Sequence, residues 1–326
     1  MKILSTFSKA CIEAAGLPAE QMKTMRFEDY GSEAFYHELK DAEALFISSR
    51  LPVDEALLDQ AKKLRLVQAM GVGYEMIDLD LTVQRGIYAC NSRGCNSQAV
   101  AEHALGLILA GLKHIPFYEQ EVYKGHFYPA ITYFTEGLHQ LSSRKVGVIG
   151  FGNIAKALIR MLNAFGCEIC YTNRTRASAE VEASFGVKYL PLPELVKTCN
   201  VISLHVPATK DTVNMISEEQ IASMRPDTLL VNLGRGDLID SEALAKALNE
   251  GRIFGAAIDT IAPEPPSADH PLLNLSDAGR KRFIITPHIG GATSESMANS
   301  LNGFFYNIEQ IENGRLPRYI VNGLDR

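Results

Sequence analysis

The sequence lacks any apolar stretch long enough to span a bilayer. Its longest apolar run, Ala104 to Leu112, covers nine residues, against the roughly 20 that a membrane-crossing helix needs. The N-terminus, MKILSTFSKACIEAAG, has one early lysine but no sustained apolar core, and reads as a first β-strand and helix rather than a leader. Basic charge is not in surplus either. With 32 Lys and Arg against 38 Asp and Glu, the formal net charge is −6, which argues against nucleic acid held by bulk phosphate neutralisation. Short repeats and low-complexity tracts are missing. The six cysteines, Cys11, Cys90, Cys95, Cys167, Cys170 and Cys199, are scattered, as expected of reduced thiols in a cytoplasmic protein. Cys167 and Cys170 have CxxC spacing but no second ligand pair nearby, so they read as packing residues and no metal is expected.

What is present is ordinary globular composition, 46% hydrophobic and 21% charged over 326 residues. At about 150 residues per domain, that length suggests two domains. Short apolar runs recur at Ala44-Ile47, Arg65-Ala69, Lys145-Gly150, Glu168-Thr172, Val201-Val206, Thr228-Leu233, Gly255-Ile258 and Phe283-Thr286. Their continuous rather than alternating apolarity predicts strands covered on both faces. Helix patterns lie between them, as at Ala155-Ala164, Ser217-Ala222 and Ser241-Leu248. Strand-helix alternation predicts an α/β fold with parallel sheets. Gln98-Lys113 is a long apolar helix pattern, Pro116-Gln140 reads as irregular connecting structure, and Gly290-Gly291 precedes a helix pattern over Ser294-Asn313. These features divide the chain into a middle domain, 98–291, and flanking pieces, 1–97 and 292–326, that fold together.

The motif with the clearest mechanism is KVGVIGFGNIA, Lys145 to Ala155. A strand runs into Gly150-Phe151-Gly152-Asn153-Ile154-Ala155 and a helix pattern follows. The first glycine permits the tight turn, the second admits a pyrophosphate to the backbone, and the small third residue lets helix and strand pack closely. A pyrophosphate would meet free N–H groups at the helix N-terminus, including those of Asn153 and Ile154. Gly71-Val72-Gly73 has the same opening spacing but lacks the small third residue and the long helix. An acid about 20 residues on selects NAD by bonding the ribose 2′-hydroxyl. Here that region reads Thr172-Asn173-Arg174-Thr175-Arg176. A missing carboxylate and two arginines suit a 2′-phosphate, which points to NADP(H), with NAD(H) as the alternative.

Three predicted strand ends carry polar residues that packing does not require: Asn232-Gly236, Asp259-Pro265 and Thr286-Gly291. In open parallel sheets, ligands bind beyond the carboxyl ends of the strands. Arg235, Glu264 and His288 form a workable set for carbonyl reduction. Hydride addition builds negative charge on oxygen, a cationic imidazole can protonate it, and a neighbouring carboxylate favours the charged imidazole. Arginine can grip a substrate carboxylate with two bonds. The other seven histidines, His103 and His205 among them, read as structural. Tyr74, His126, Tyr128 and Phe134 are candidates for lining a substrate pocket.

In these residues, from about Phe46 to Thr293, the sequence resembles the D-isomer-specific 2-hydroxyacid dehydrogenase family. The resemblance rests on Gly71-Val72-Gly73, Ile77-Asp78, Asn91, Val100-Ala101-Glu102-His103, the Gly150 turn, His205-Val206-Pro207, Asn232-Gly236, Asp259, Glu264-Pro265 and Thr286-Gly291, all in order. It implies two Rossmann- or flavodoxin-like domains with the active site in the cleft between them, and a homodimer. It implies that His288 is the acid/base, Glu264 its partner and Arg235 the substrate anchor. It further implies that Val72 and Gly73 hold the substrate carboxylate through backbone groups. Val206, Pro207, Asp259 and Gly290 fall to the cofactor side, with Asp259 at the nicotinamide amide, and Arg50 matches a position near the substrate in some members. The Thr172-Arg176 segment is similar to that of NADPH-using glyoxylate and hydroxypyruvate reductases, so a small 2-keto or D-2-hydroxy acid is the expected substrate. An NAD-linked enzyme of another hydroxy acid, such as phosphoglycerate, and a cofactor-sensing corepressor remain the alternatives. Ser92-Arg93 replaces the common proline before Gly94, and Leu275-Arg282 is a few residues longer than the usual pattern. The end at Arg326 leaves no room for the C-terminal regulatory domain of some relatives.

Overall fold

A computed structural model describes residues 1–127 and 137–325. It comprises two compact units, Met1–Asn96 with Gly291–Arg326, and Ser97–Gly290. Both are built on wholly parallel sheets. No helix of the described residues is long and apolar enough to cross a membrane.

The first unit holds five strands: β1 (Ile3–Ser5), β2 (Lys23–Thr24), β3 (Ala44–Ser48), β4 (Leu66–Met70) and β5 (Tyr88–Cys90). Their order is β2-β1-β3-β4-β5, the flavodoxin-like arrangement. The apolar run of β3 is explained by burial on both faces. Leu45 and Ile47 join a core with Phe35, Leu57 and Val67, while Ala44 and Phe46 pack in a second core with Leu66, Leu301 and Phe304. Leu301 and Phe304 come from the Ser294–Glu312 helix, whose N-cap Thr293 accepts a hydrogen bond from Ser296 N–H.

The second unit holds seven strands: β6 (Lys145–Ile149), β7 (Glu168–Thr172), β8 (Val187–Tyr189), β9 (Val201–Leu204), β10 (Leu229–Asn232), β11 (Gly255–Ile258) and β12 (Phe283–Ile285). The order β12-β11-β10-β9-β6-β7-β8 is the doubly wound Rossmann order with one further strand, and it reverses between β6 and β9. The Ser97–Leu112 helix buries Val100, Ala104, Ile108 and Leu112 in the core that Val146, Val148, Leu229 and Val231 line. A Cβ on Gly111 would lie 2.9 Å from the Leu229 side chain, so this helix sits close on β10.

Two expectations need correction. Pro116-Gln140 is not irregular throughout, because Ile115–Tyr123 is a helix with proline in its first turn. A missing N–H costs nothing there. Strand β9 also ends at Leu204, two residues before the apolar run does; His205 N–H instead donates to Ile149 O at 2.8 Å. Tyr128 and Phe134 lie outside the described residues.

Candidate active site

The Gly150 turn sits at the strand-order reversal. Gly150 has φ +100°, and its N–H donates to Thr172 O at 2.8 Å. A Cβ there would fall 2.5 Å from His205 O and 2.9 Å from Val206 Cγ1. Only glycine fits, on both conformation and space. Gly152 caps the Asn153–Ala164 helix without a side-chain capping bond, and a Cβ on it would meet nothing within 4 Å among the described residues. Asn153 and Ile154 therefore open a helix with uncapped N–H donors beside open space, which suits a pyrophosphate. Ala155 is fully buried behind them. These residues fit a dinucleotide. Val206 is half-buried and Pro207 exposed, its carbonyl accepting from Thr212 Oγ1 at 2.8 Å.

His205 stands directly behind this turn. Its Nε2 lies 2.8 Å from Ser203 Oγ, while Nδ1 is buried without a partner among the described residues. Burial pushes the imidazole down to about 4, so the ring is neutral at ordinary pH.

At the end of β7 the structure separates the two arginines. Arg176 grips Glu182 with two bonds, Nε to Oε1 at 2.8 Å and Nη2 to Oε2 at 2.9 Å. Tyr171 Oη also donates to Glu182 Oε1, at 2.8 Å. The Arg176 bonds, followed by that of Tyr171, pull the Glu182 carboxyl down to about 2. Both arginines were expected to be available to a ligand phosphate. Arg176 is instead committed to a carboxylate of its own unit, because an almost buried Glu182 needs a countercharge. Arg174 is exposed and makes no ion pair among the described residues. Thr172 is buried, and Asn173 Nδ2 closes a local turn by donating to Thr175 O at 2.9 Å.

The ends of β10, β11 and β12 bring the other polar residues together. Asn232 Nδ2 donates to Arg235 O at 2.8 Å and Asn232 Oδ1 accepts from Gly234 N–H at 2.9 Å, fixing the turn that presents Arg235. Arg235 Nη1 donates to Gly234 O at 2.9 Å. A Cβ on Gly236 would lie 2.1 Å from the Ile261 backbone, so the two strand ends are in close contact. His288 has a left-handed backbone, φ +56°, and its N–H donates to Asp259 O at 2.8 Å. Its Nδ1 faces the Glu264 carboxylate, 2.8 Å from Oε2 and 3.0 Å from Oε1. The side chains of His288 and Glu264 remain 35% and 30% exposed, so the pair is reachable from solvent. An imidazole held this way through Nδ1 presents Nε2 for proton transfer.

Asp259 organises the loop that carries His288. Its Oδ1 accepts from Thr286 Oγ1 at 2.6 Å and Ile289 N–H at 2.9 Å, and Oδ2 accepts from Gly290 N–H at 2.8 Å. Burial opposes the carboxylate charge, but bonds from His103, Thr286, Gly290 and Ile289 outweigh it and hold the group below its ordinary range. A Cβ on Gly290 would lie 2.9 Å from Asp259 Oδ2. The contact of His103 with this carboxylate and with Thr286 was not anticipated. A histidine on an apolar helix gives no signal of the strand ends it reaches.

In the first unit, the Val72 carbonyl accepts from Asn91 Nδ2 at 2.8 Å, and Ser92 N–H donates to Gly71 O at 2.7 Å. The Gly71-Val72-Gly73 turn is thus held from its own unit, with Val72 exposed. Arg50 is exposed after β3, its N–H donating to Ser48 Oγ at 3.4 Å.

Comparison with known proteins agrees with this architecture. The model of the D-isomer specific 2-hydroxyacid dehydrogenase NAD binding domain matches residues 105–290. A glyoxylate reductase of Pyrococcus furiosus is 34% identical over 293 residues, covering 89% of this chain and 85% of the relative. A D-3-phosphoglycerate dehydrogenase of Methanocaldococcus jannaschii is also 34% identical, over 89% of this chain but 53% of the relative. Among solved structures, a D-lactate dehydrogenase of Aquifex aeolicus complexed with NAD and lactic acid superposes with a TM-score of 0.79 at 28% identity, covering 96% of each chain. The chain therefore belongs to the D-isomer specific 2-hydroxyacid dehydrogenase family, whose members are NAD(P)-dependent oxidoreductases.

Proposed function

We propose that this protein reduces small 2-keto acids, glyoxylate or hydroxypyruvate foremost, to the D-2-hydroxy acid, with NADPH preferred and NADH a poorer donor. The observation that carries the reading is the Glu264-His288 pair, 2.8 Å apart at a strand end of the nucleotide-binding fold. When bound, the cofactor supplies the hydride. Gly150, Gly152, Asn153 and Ile154 receive its pyrophosphate, and Thr172, Asn173 and Arg174 surround the adenine ribose, with Arg176 held on Glu182 beside them. Val206, Pro207, Asp259 and Gly290 fall to the remaining length of the cofactor. Residues 98–291 form the dinucleotide-binding domain, and 1–97 with 292–326 the substrate domain.

As the carbonyl oxygen gains negative charge, His288 donates its proton there and Glu264 stabilises the resulting orientation. Arg235 grips the substrate carboxylate and polarises the carbonyl, and Val72, Gly73 and Arg50 are further substrate-binding candidates. Oxidation reverses these roles. The absent acid at Thr172 and the exposed Arg174 support NADPH. The six free thiols fit a cytoplasmic enzyme. The helix Ile115–Tyr123 leaves Ile115, Val122 and Tyr123 exposed, an apolar face suited to a second copy of the chain.

Initial reduction rates with glyoxylate and hydroxypyruvate, each with NADPH and NADH, test the reading; 3-phosphoglycerate oxidation with NAD is the contrasting arm. Faster turnover with NADPH supports it. Turnover confined to 3-phosphoglycerate and NAD overturns it, and binding of cofactor without turnover of any of these acids favours the sensing role. His288→Ala is expected to lose most turnover while NADPH binding stays nearly intact.

A further inference from the structure

The reaction described above uses His288 and Glu264 directly and leaves another histidine of the same unit without a task. His103 lies in the Ser97–Leu112 helix, whose other inward residues are apolar. Its ring does not end in that core. Nε2 lies 3.0 Å from Thr286 Oγ1 and 3.5 Å from Asp259 Oδ1.

Counting protons gives this contact a direction. Asp259 is a carboxylate whose pKa is lowered in place, so it can only accept. Thr286 has one hydroxyl proton, and the 2.6 Å contact to Asp259 Oδ1 uses it. At its 3.0 Å contact with His103, Thr286 must therefore accept. That requires a proton on His103 Nε2 and gives a chain from His103 Nε2–H through Thr286 Oγ–H to Asp259.

The chain acts on the loop that presents His288. Asp259 takes the N–H groups of Ile289 and Gly290, and its backbone carbonyl takes that of His288. The left-handed His288 backbone costs energy for any residue other than glycine and persists only where its surroundings impose it. The four donors on the Asp259 carbonyl and carboxylate are those surroundings, and His103 sets the direction of one of them.

We propose that His103 is a positioning residue for the reaction. Through Thr286 it orients the Asp259 carboxylate, and through Asp259 it fixes the backbone from which His288 reaches the substrate. This rests on the roles proposed above for His288 and Asp259. His103 itself touches neither substrate nor cofactor in the scheme.

The first test is independent of turnover. In 15N-edited spectra of the cofactor-free protein near pH 8, the His103 ring is expected to carry its proton on Nε2, and Thr286→Val is expected to shift that resonance. A proton on Nδ1 alone overturns the proposal. Kinetics supply the second test. His103→Leu is expected to lower kcat roughly ten- to a hundredfold, since small misplacement at a reacting centre has effects of that size. NADPH affinity should change less than about threefold, because the Gly150-Gly152 turn is untouched. His103→Gln offers an amide N–H of similar reach and should recover most of the loss. The double variant His103→Leu with Thr286→Val should be little worse than Thr286→Val alone, as expected of residues acting in one chain. If His103→Leu does not fold, His103→Gln and Thr286→Val carry the test.

A fall in Tm with kcat within twofold of native marks His103 as structural only and overturns the proposal. The control is Asp259→Asn. If it loses turnover while His103→Leu does not, only the role of His103 is wrong. If Asp259→Asn also keeps native turnover, the underlying reading of the site fails, and the His103 role with it.

Discussion

Gly71-Val72-Gly73 follows β4, Gly150-Phe151-Gly152 follows β6, and the first glycine of each is left-handed, at φ +97° and +100°. Beyond that the two turns differ. Among the described residues a Cβ on Gly71 would meet nothing within 4 Å, whereas one on Gly150 would fall 2.5 Å from His205 O. Gly152 opens a helix of 12 residues at once. Gly73 leads instead into a turn, where Ile77 N–H donates to Tyr74 O at 3.0 Å before the Leu79–Gln84 helix begins. The Gly-x-Gly spacing reports a left-handed corner after a parallel strand and nothing more. What suits one corner to a phosphate is its place at the reversal of strand order, the neighbouring strand end pressed against it, and the uncapped helix behind it.

The most damaging way to break this contrast is Gly150→Ala. The left-handed backbone alone costs about 1–2 kcal/mol for an alanine, and the overlap with His205 O adds to it because no side-chain rotation relieves a clash with backbone. We expect loss of roughly a hundredfold or more in NADPH affinity with a clear fall in Tm, read by fluorescence titration and thermal denaturation. Gly152→Ala separates the two effects. Its φ of −82° is ordinary and its surroundings are open, so Tm should hold while cofactor affinity falls. Unchanged affinity in both variants would move the dinucleotide away from this turn.

The second effect is a pH dependence belonging to the Gly150 side only. His205 is held neutral down to about pH 4 in the folded protein, against about 6.5 for an unfolded histidine. A depressed histidine pKa contributes stability that is fully present above about pH 6.5. That stability is lost as pH falls toward 4, because the unfolded chain binds the proton first. The loss should reach about 3 kcal/mol at most. Urea denaturation across this range should show a steeper decline for the native protein than for His205→Gln, and equal slopes would dismiss His205 as the cause.

Gly71→Ala comes third. With open space around it, only the backbone strain remains, about 1–2 kcal/mol. Cofactor affinity should stay native, and the KM for the keto acid should rise if Val72 and Gly73 hold its carboxylate. A loss of NADPH affinity here equal to that of Gly150→Ala would erase the distinction between the turns.

The same contrast shows what a sequence discloses. The Glu168–Thr172 and Gly255–Ile258 strands were legible to the residue, because continuous apolarity is what two covered faces require. Glu264 and His288 could be read as partners because both follow strands of one parallel sheet, whose ends share a side. The helix Ile115–Tyr123 was hidden by its proline and aromatics, which signal a break unless the proline falls in the first turn. His103 was hidden for a different reason. Its helical neighbours predict a core, and nothing local reveals that one side chain reaches Thr286, 183 residues along the chain. The partner of Arg176 is only six residues away, yet a Glu in a helix beside a basic turn reads equally well as solvated charge.

That last pair gives the smallest expected effect. Both arginines follow β7, whose Thr172 carbonyl takes the Gly150 N–H, so either could meet a 2′-phosphate. Their circumstances are unequal. Arg176 uses Nε and Nη2 on Glu182 and stacks over the Tyr189 ring, 5.3 Å from its centroid. To serve a ligand it would have to leave an almost buried carboxylate short of its countercharge, a loss that subtracts from what the phosphate returns. Arg174 has no such commitment. Arg174→Ala should therefore cut the preference for NADPH over NADH by about tenfold, the value of one charge-assisted contact. Arg176→Ala should change the preference less, but lower stability at neutral pH and flatten its fall in acid. Glu182, held near 2 in the native fold, contributes stability above the ordinary Glu pKa that is lost as pH falls toward 2, and without Arg176 both that contribution and its loss in acid should shrink. Equal effects of the two substitutions on cofactor preference would mean that Glu182 yields Arg176 to the ligand. An unaltered preference in both would assign the discrimination to the turn itself, where Thr172 and Asn173 are the remaining polar groups.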